Sequence, residues 1–294
     1  MSNNTYYVPD QSKFPLFMSM SMFLMLFGFG YVLNGINSDN VSTVSVLASV
    51  AGLIAVCSIV FLWLRTVVIE SIEGKTSAQL KKSFYMGMVW FIFSEVCFFA
   101  ALFGTLFYVR TMSVPWLGGE GDKGSSNMLW ECFNTMWPLI DTPDPQQFPP
   151  MTGEVDPWHI PFYNTCLLVA SSVFIHWAES AMHKGERQKM IGWLAMTLIF
   201  GFIFLYLQGV EYHEAWTELA LTLNSGIYGS TFYLLTGFHG MHVSLGVIMV
   251  SVVFFRTLKG HFSKEDEFGF MAASWYWHFV DVVWIILFIF VYVV

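Results

Sequence analysis

Five ionisable side chains stand inside stretches that are otherwise apolar. Near the carboxyl end the run Trp275-Tyr276-Trp277-His278-Phe279-Val280-Asp281-Val282-Val283-Trp284 carries His278 and Asp281, and Gly237-Phe238-His239-Gly240-Met241-His242 carries two more histidines. Glu95 sits within Trp90-Phe91-Ile92-Phe93-Ser94-Glu95-Val96-Cys97-Phe98-Phe99-Ala100, with no basic residue near it along the chain. A charged side chain in hydrocarbon costs on the order of 2.5–3.5 kcal/mol even on the lenient insertion scale, so such groups face protein, water or a bound polar group. Histidines three residues apart share a helix face and offer either a chelating pair or two hydrogen-bonded packing groups. With no carboxylate or third histidine close in sequence, hydrogen-bonded packing is the expectation for His239 and His242, and no metal, cofactor or catalytic residue is expected. His278 and Asp281 share the same spacing and are expected to pair with each other or with a neighbouring helix. An apolar setting favours the neutral acid at Glu95, which leaves both a structural and a proton-holding role open and predicts reactivity toward a carbodiimide.

The elements that position these groups follow from composition. Of 294 residues, 55% are hydrophobic, 18% aromatic and only 12% charged, with a mean hydropathy of +0.57. A membrane-crossing helix needs roughly 20 predominantly apolar residues. Seven stretches qualify, at 14–33, 41–64, 84–108, 161–182, 191–210, 226–255 and 268–294. The chain therefore reads as an all-α integral membrane protein with seven transmembrane helices.

Of the 13 basic residues, all but Arg110 and Lys123 fall at one alternate set of helix ends: Lys13; Arg65, Lys75, Lys81 and Lys82; Lys184, Arg187 and Lys189; Arg256, Lys259 and Lys264. Lysine and arginine are retained on the cytoplasmic side, so the amino terminus is expected inside and the carboxyl terminus outside. The first span lacks a small-residue cleavage site and is expected to stay. The net charge of −8 comes mainly from the outer segment, where Glu120, Asp122, Glu131, Asp141, Asp144, Glu154 and Asp156 face the single Lys123, which argues against a nucleic-acid partner. That segment, 111–158, is expected to be a solvated acidic excursion, with a short interfacial helix at Trp130–Trp137. Cys57, Cys97 and Cys166 fall within spans and are expected to be buried small apolar residues. Thr236, Gly240 and Ser244 line one helix face and predict close approach of another helix.

At the level of longer motifs the chain resembles subunit III of the haem-copper cytochrome c oxidases, in its seven-helix bacterial form. The likeness covers nearly all seven spans. It is strongest in Gly226–His242 and Phe268–Trp284, and continues through Ser94-Glu95, Trp63 to Glu70, Asp156–Asn164 and Glu211-Tyr212-His213-Glu214-Ala215. It implies an accessory core subunit without redox centres of its own, beside a catalytic subunit I and a copper subunit II, with haem and copper in those partners and cytochrome c as donor to the complex. It also implies a bacterial inner membrane location, and a two-helix unit (1–65) set apart from a five-helix unit (66–294) by a V-shaped cleft that holds phospholipids. The family's headgroup contacts map onto Trp63, Arg65, Glu70, Arg256 and His261, and its carbodiimide-reactive carboxylate onto Glu95. The chain departs from the family pattern at Leu64, Thr66, Ile69, Lys75 and Met271, and Glu179-Ser180 replaces a usual histidine pair. A quinol-oxidising relative is the nearest alternative. A free-standing proton-coupled transporter would use Glu95 and the four polar residues of the last two spans as its path, but no internal repeat or pair of broken spans supports it.

Overall fold

The computed structural model describes residues 11–38, 40–74, 78–130, 133, 135–262 and 267–294. Lys75 and Lys264, two of the basic residues that set the expected orientation, lie outside them, as do Glu131 and Cys132 of the acidic segment. The described chain is helical: α1 (Phe14–Asn37), α2 (Thr43–Ile72), α3 (Ala78–Tyr108), the one-turn α4 (Val114–Leu117), α5 (Ile160–Lys184), α6 (Arg187–Thr217), α7 (Gly226–Leu258) and α8 (Phe268–Leu287). A π-helical turn at Val109–Ser113 joins α3 to α4, and another at Phe288–Val293 extends α8. Seven of these stretches are long and apolar enough to cross a membrane. Most outrun the apolar windows, because polar residues such as Arg187 and Glu214 continue the helical hydrogen bonding beyond them.

The chain forms two compact units, Met1–Ser83 and Phe84–Val294. In the first, α1 and α2 pack at small residues. A Cβ on Gly28 would stand 2.8 Å from Ser49 Oγ, and one on Gly52 would stand 2.6 Å from Met25 Cα. Backbones approach that closely only where side chains are missing, which is how van der Waals packing joins helices in lipid.

In the second unit α5, α6, α7 and α8 pack in a ring, each against the next and α5 against α8. The turn between α5 and α6 is tight because Gly185 takes φ +77° at the end of α5, a conformation that costs glycine nothing. Trp277 and Trp284 of α8 are fully buried, and Tyr276 nearly so. Space for Trp277 comes from two glycines: a Cβ on Gly201 of α6 would lie 2.8 Å from its ring, and one on Gly246 of α7 would lie 2.9 Å from it. Close approach on α7 is therefore at Gly246. Gly240 has nothing within 4 Å of where its Cβ would be among the described residues, so the expected packing stripe through Thr236, Gly240 and Ser244 shows no close approach at its middle, while Thr236 meets Tyr212 of α6.

Polar tips tie the ring together. Trp277 Nε1 donates to Ser171 Oγ (2.9 Å) and Trp284 Nε1 to Thr165 Oγ1 (3.0 Å), joining α8 to α5. The Thr236 hydroxyl donates to Phe232 O, so Tyr212 Oη supplies the hydrogen in the 2.7 Å contact that joins α6 to α7. Interhelical hydrogen bonds in membranes average about 0.6 kcal/mol, and their value lies in fixing which faces meet.

Two further expectations fail. Cys57, Cys97 and Cys166 are exposed on their helices; the outer face of a membrane helix is as apolar as its inner face, so apolar context alone does not report burial. The described residues from Trp130 to Trp137 are not helical, and a short 3₁₀ helix lies earlier, at Gly124–Leu129. Pro138 disfavours helical geometry at Trp137. Part of the acidic segment folds onto its own bundle: Leu139 and Met151 are buried in the core, and Thr152 donates through N to Leu219 O (3.0 Å) and through Oγ1 to Glu218 O (2.9 Å).

Candidate functional site

Glu95 on α3 and His242 on α7, 147 residues apart in sequence, meet inside the second unit with Oε2 and Nε2 2.9 Å apart. The other ring nitrogen, Nδ1, lies 2.6 Å from Phe238 O. A carbonyl only accepts, so Nδ1 carries hydrogen. The contact with Glu95 then needs one more proton, borne either by the carboxyl or by Nε2. Aromatic rings enclose the pair: Phe99 meets the imidazole edge-on at 5.1 Å, and Phe98 and Tyr276 lie roughly parallel to it at 6.2 and 6.4 Å. The histidine side chain is 7% exposed and the glutamate 21%, so the carboxyl stands at the more open side.

His239, one turn earlier on α7, is fully buried and does not join this pair. Its Nε2 lies 3.2 Å from Val280 O, and Phe204 and Trp284 pack on its ring. By the same reasoning Nε2 donates, and Nδ1 is left without a hydrogen-bond partner among the described residues. His278 and Asp281 are not hydrogen-bonded to each other. His278 stands within electrostatic reach of Glu179 and His176 of α5. Asp281 lies beside Ser172 of α5, although neither its Oδ1 nor the serine Oγ completes a hydrogen bond among the described residues.

The residues mapped to lipid headgroups separate by unit. On α2, Trp63 stacks on Phe14 of α1 at 5.9 Å. Glu70 is two turns on and shares its face, whereas Arg65 is turned about 200° away at 3.6 residues per turn. At the end of α7 the Arg256 guanidinium lies 4.4 Å over the Phe262 ring, and the His261 N–H donates to Arg256 O. Gly269 makes room, since a Cβ there would stand 2.7 Å from the guanidinium. Arg187, read from sequence only as a topology signal, donates through Nε to Thr257 O (3.0 Å) and through Nη2 to Leu258 O, capping the end of α7. Glu179, at the departure from the family's histidine pair, accepts from Ser274 Oγ at 3.3 Å and stands 3.9 Å from His183, which also approaches Glu267 at 3.5 Å.

Sequence reasoning missed one buried pair. Tyr292 donates to Glu211 Oε1 at 2.6 Å, with both side chains almost wholly enclosed. The signal was present in three glutamates, 211, 214 and 218, at helical spacing near the end of α6. Among the described residues no three His, Cys, Asp or Glu side chains come together at metal-ligand spacing.

Comparison with known proteins agrees with this architecture along the whole chain. The family model described as cytochrome c oxidase subunit III matches residues 4–121 and 127–294. Similar relatives include proteins named cytochrome c oxidase subunit 3 from Dugong dugon, 37% identical over 98% of this chain and 97% of the relative, and from Gadus morhua, 34% identical over the same shares. A third, from Oncorhynchus mykiss, is 37% identical over 78% of this chain and 77% of its own length. With seven apolar helices and a match over nearly its full length, the chain belongs to the cytochrome c oxidase subunit III family.

Proposed function

We propose that the chain acts as an accessory core subunit of a proton-pumping cytochrome c oxidase, steadying the catalytic subunit I, binding phospholipid and supporting proton uptake. Subunit I and the copper subunit II would hold the haem and copper, and cytochrome c would donate electrons to the complex. The observation that carries this reading is the Glu95–His242 pair, which holds one proton in an aromatic enclosure with the carboxyl toward the open side. Other interior polar contacts, such as Trp277 with Ser171 and Tyr212 with Thr236, join one helix to the next.

Lipid binding is supported at the end of α7, where the Arg256 guanidinium over Phe262 brings charge and planar donors suited to a phosphate. On α2, Trp63 and Glu70 share a face that suits a headgroup at the membrane boundary. The proposed setting is a bacterial inner membrane with the amino terminus cytoplasmic, the orientation supported by the basic residues at one set of helix ends. Reconstitution tests the reading. Oxidase stripped of this chain and given back wild-type protein should regain its full number of turnovers, and Glu95→Ala protein should restore fewer; equal recovery with both would remove the pair from the function.

A further inference from the structure

α5 and α8 lie antiparallel, with contacts that descend one helix as they climb the other: Thr165 with Trp284, Ser171 with Trp277, Glu179 with Ser274 and His183 with Glu267. Their seam carries a ladder of polar side chains. On α5, Ser172, His176, Glu179 and His183 are spaced by four, three and four residues and share a face. On α8, Ser274, His278 and Asp281 do the same, with Glu267 seven residues before Ser274. At the end where α5 finishes, the His183 side chain is 50% exposed and stands 3.9 Å from Glu179 and 3.5 Å from Glu267. Ser274, fully buried, donates to Glu179, which in turn lies within electrostatic reach of His278.

The inner end of the ladder is closed. Asp281 and Ser172 are each 8% exposed and lie side by side, and neither Asp281 Oδ1 nor Ser172 Oγ completes a hydrogen bond among the described residues. At 1.5 Å per residue Asp281 stands about 21 Å along α8 from Glu267, against a hydrocarbon layer about 30 Å thick. Beyond it the seam continues with the Trp284 indole, which donates a hydrogen bond but cannot accept a proton. Ionisable groups of the other helices meet other sides of α8: Glu95 of α3 and His242 of α7 face Tyr276, and His239 of α7 faces Val280. α6 meets α8 through Gly201 and Phe204. No lysine or arginine stands at any position of the ladder, so the positive charge available to Asp281 is a proton.

We propose that the α5–α8 seam is a blind proton path, which takes a proton at His183 and Glu179 and delivers it through His278 to Asp281, where it is held. Each transfer moves one proton and no electrons. The His183 imidazolium gives its proton to the Glu179 carboxylate, the resulting acid gives it to the His278 ring, and His278 releases it to Asp281, so that every donor returns to its starting form. An imidazole suits the middle position because it accepts on one ring nitrogen and releases from the other. The indoles beyond Asp281 stop the proton from crossing the membrane. This site is separate from the Glu95–His242 pair, and the failure of either leaves the other standing.

The test uses the chain in its purified membrane complex. Infrared difference spectra between alkaline and mildly acid buffer read the C=O stretch of protonated carboxyl groups, and Asp281→Asn should lose one such band that Glu95→Gln retains. Rapid pH jumps followed at that band give the rate at which the proton arrives. Glu179→Gln, which keeps an acceptor for Ser274, should retain the band and slow its appearance by roughly 100-fold, the low end of what a positioned proton carrier contributes. Glu186→Gln removes a carboxylate at the same end of the bundle that pairs with Lys189 and stands off the seam, so it should match wild type. An undiminished rate in Glu179→Gln, or equal slowing in Glu186→Gln, would overturn the path. A difference spectrum that Asp281→Asn leaves unchanged would overturn its endpoint.

Discussion

His242 reaches Glu95 through Nε2 while its Nδ1 hydrogen is committed to the carbonyl of Phe238, so the two side chains hold a single proton between them. The arrangement needs no third group. It gives the carboxyl of α3 a fixed partner on α7, and it makes the occupancy of one proton a property of the contact between these helices.

Substitution should separate the proton from the packing. Glu95→Gln retains a donor for Nε2 and should assemble with thermal stability close to wild type. Glu95→Ala leaves a buried ring nitrogen unpartnered and should cost about 1–3 kcal/mol. Thermal denaturation of the purified complex checks both, and equal stability of the two variants would show that the contact contributes nothing to the fold.

Glu95 should also be the carboxylate that a hydrophobic carbodiimide modifies, because such reagents attack the acid form and partition into apolar surroundings. Peptide mapping after labelling reads this directly. Label on the acidic segment, with the Glu95 peptide unmodified, would mean that the shared proton resides on His242.

Trp277 occupies space left by Gly201 and Gly246 and donates to Ser171. Gly246→Val should destabilise by about 1–3 kcal/mol through overpacking, and Trp277→Ala by about 3–5 kcal/mol through the cavity it leaves. Trp277→Phe should cost about 1 kcal/mol for the lost hydrogen bond. The order of the three melting temperatures is the measurement, and a Gly246→Val protein as stable as wild type would contradict the close approach of α7 and α8.

Much of the fold was legible because apolar length is a local property: seven stretches of sufficient length became seven spanning helices. Helix ends were less legible, since polar residues such as Arg187 and Thr217 continue a helix beyond its apolar window. Partners were not legible at all. The periodicity of α7 puts His239 and His242 within one turn, yet His242 meets Glu95 of α3 and His239 meets Val280 of α8. Gly240 looked like a packing position from its spacing, but only the size of Trp277 on the opposing helix decides that Gly246 is the closer approach. Glu211 was noticed only as part of a motif, because burial of its carboxylate depends on Tyr292, 81 residues later.

Arg256 should be required for a retained phospholipid. The guanidinium held over Phe262 offers bidentate donors that an aliphatic chain lacks. Native mass spectrometry of the complex should show fewer bound phospholipids in Arg256→Leu than in wild type, and an unchanged count would reduce Arg256 to a signal for membrane orientation.

The central claim is that this chain supports an oxidase reaction performed by its partners. Purified complex with and without the chain should be compared for initial oxygen consumption, its pH dependence and the number of turnovers before inactivation. The account predicts a substantial initial rate in the depleted enzyme, followed by early inactivation as proton delivery slows and the catalytic subunit loses its support. A depleted enzyme with intact haem and copper spectra but no first-turnover activity would contradict it and move the chemistry into this chain.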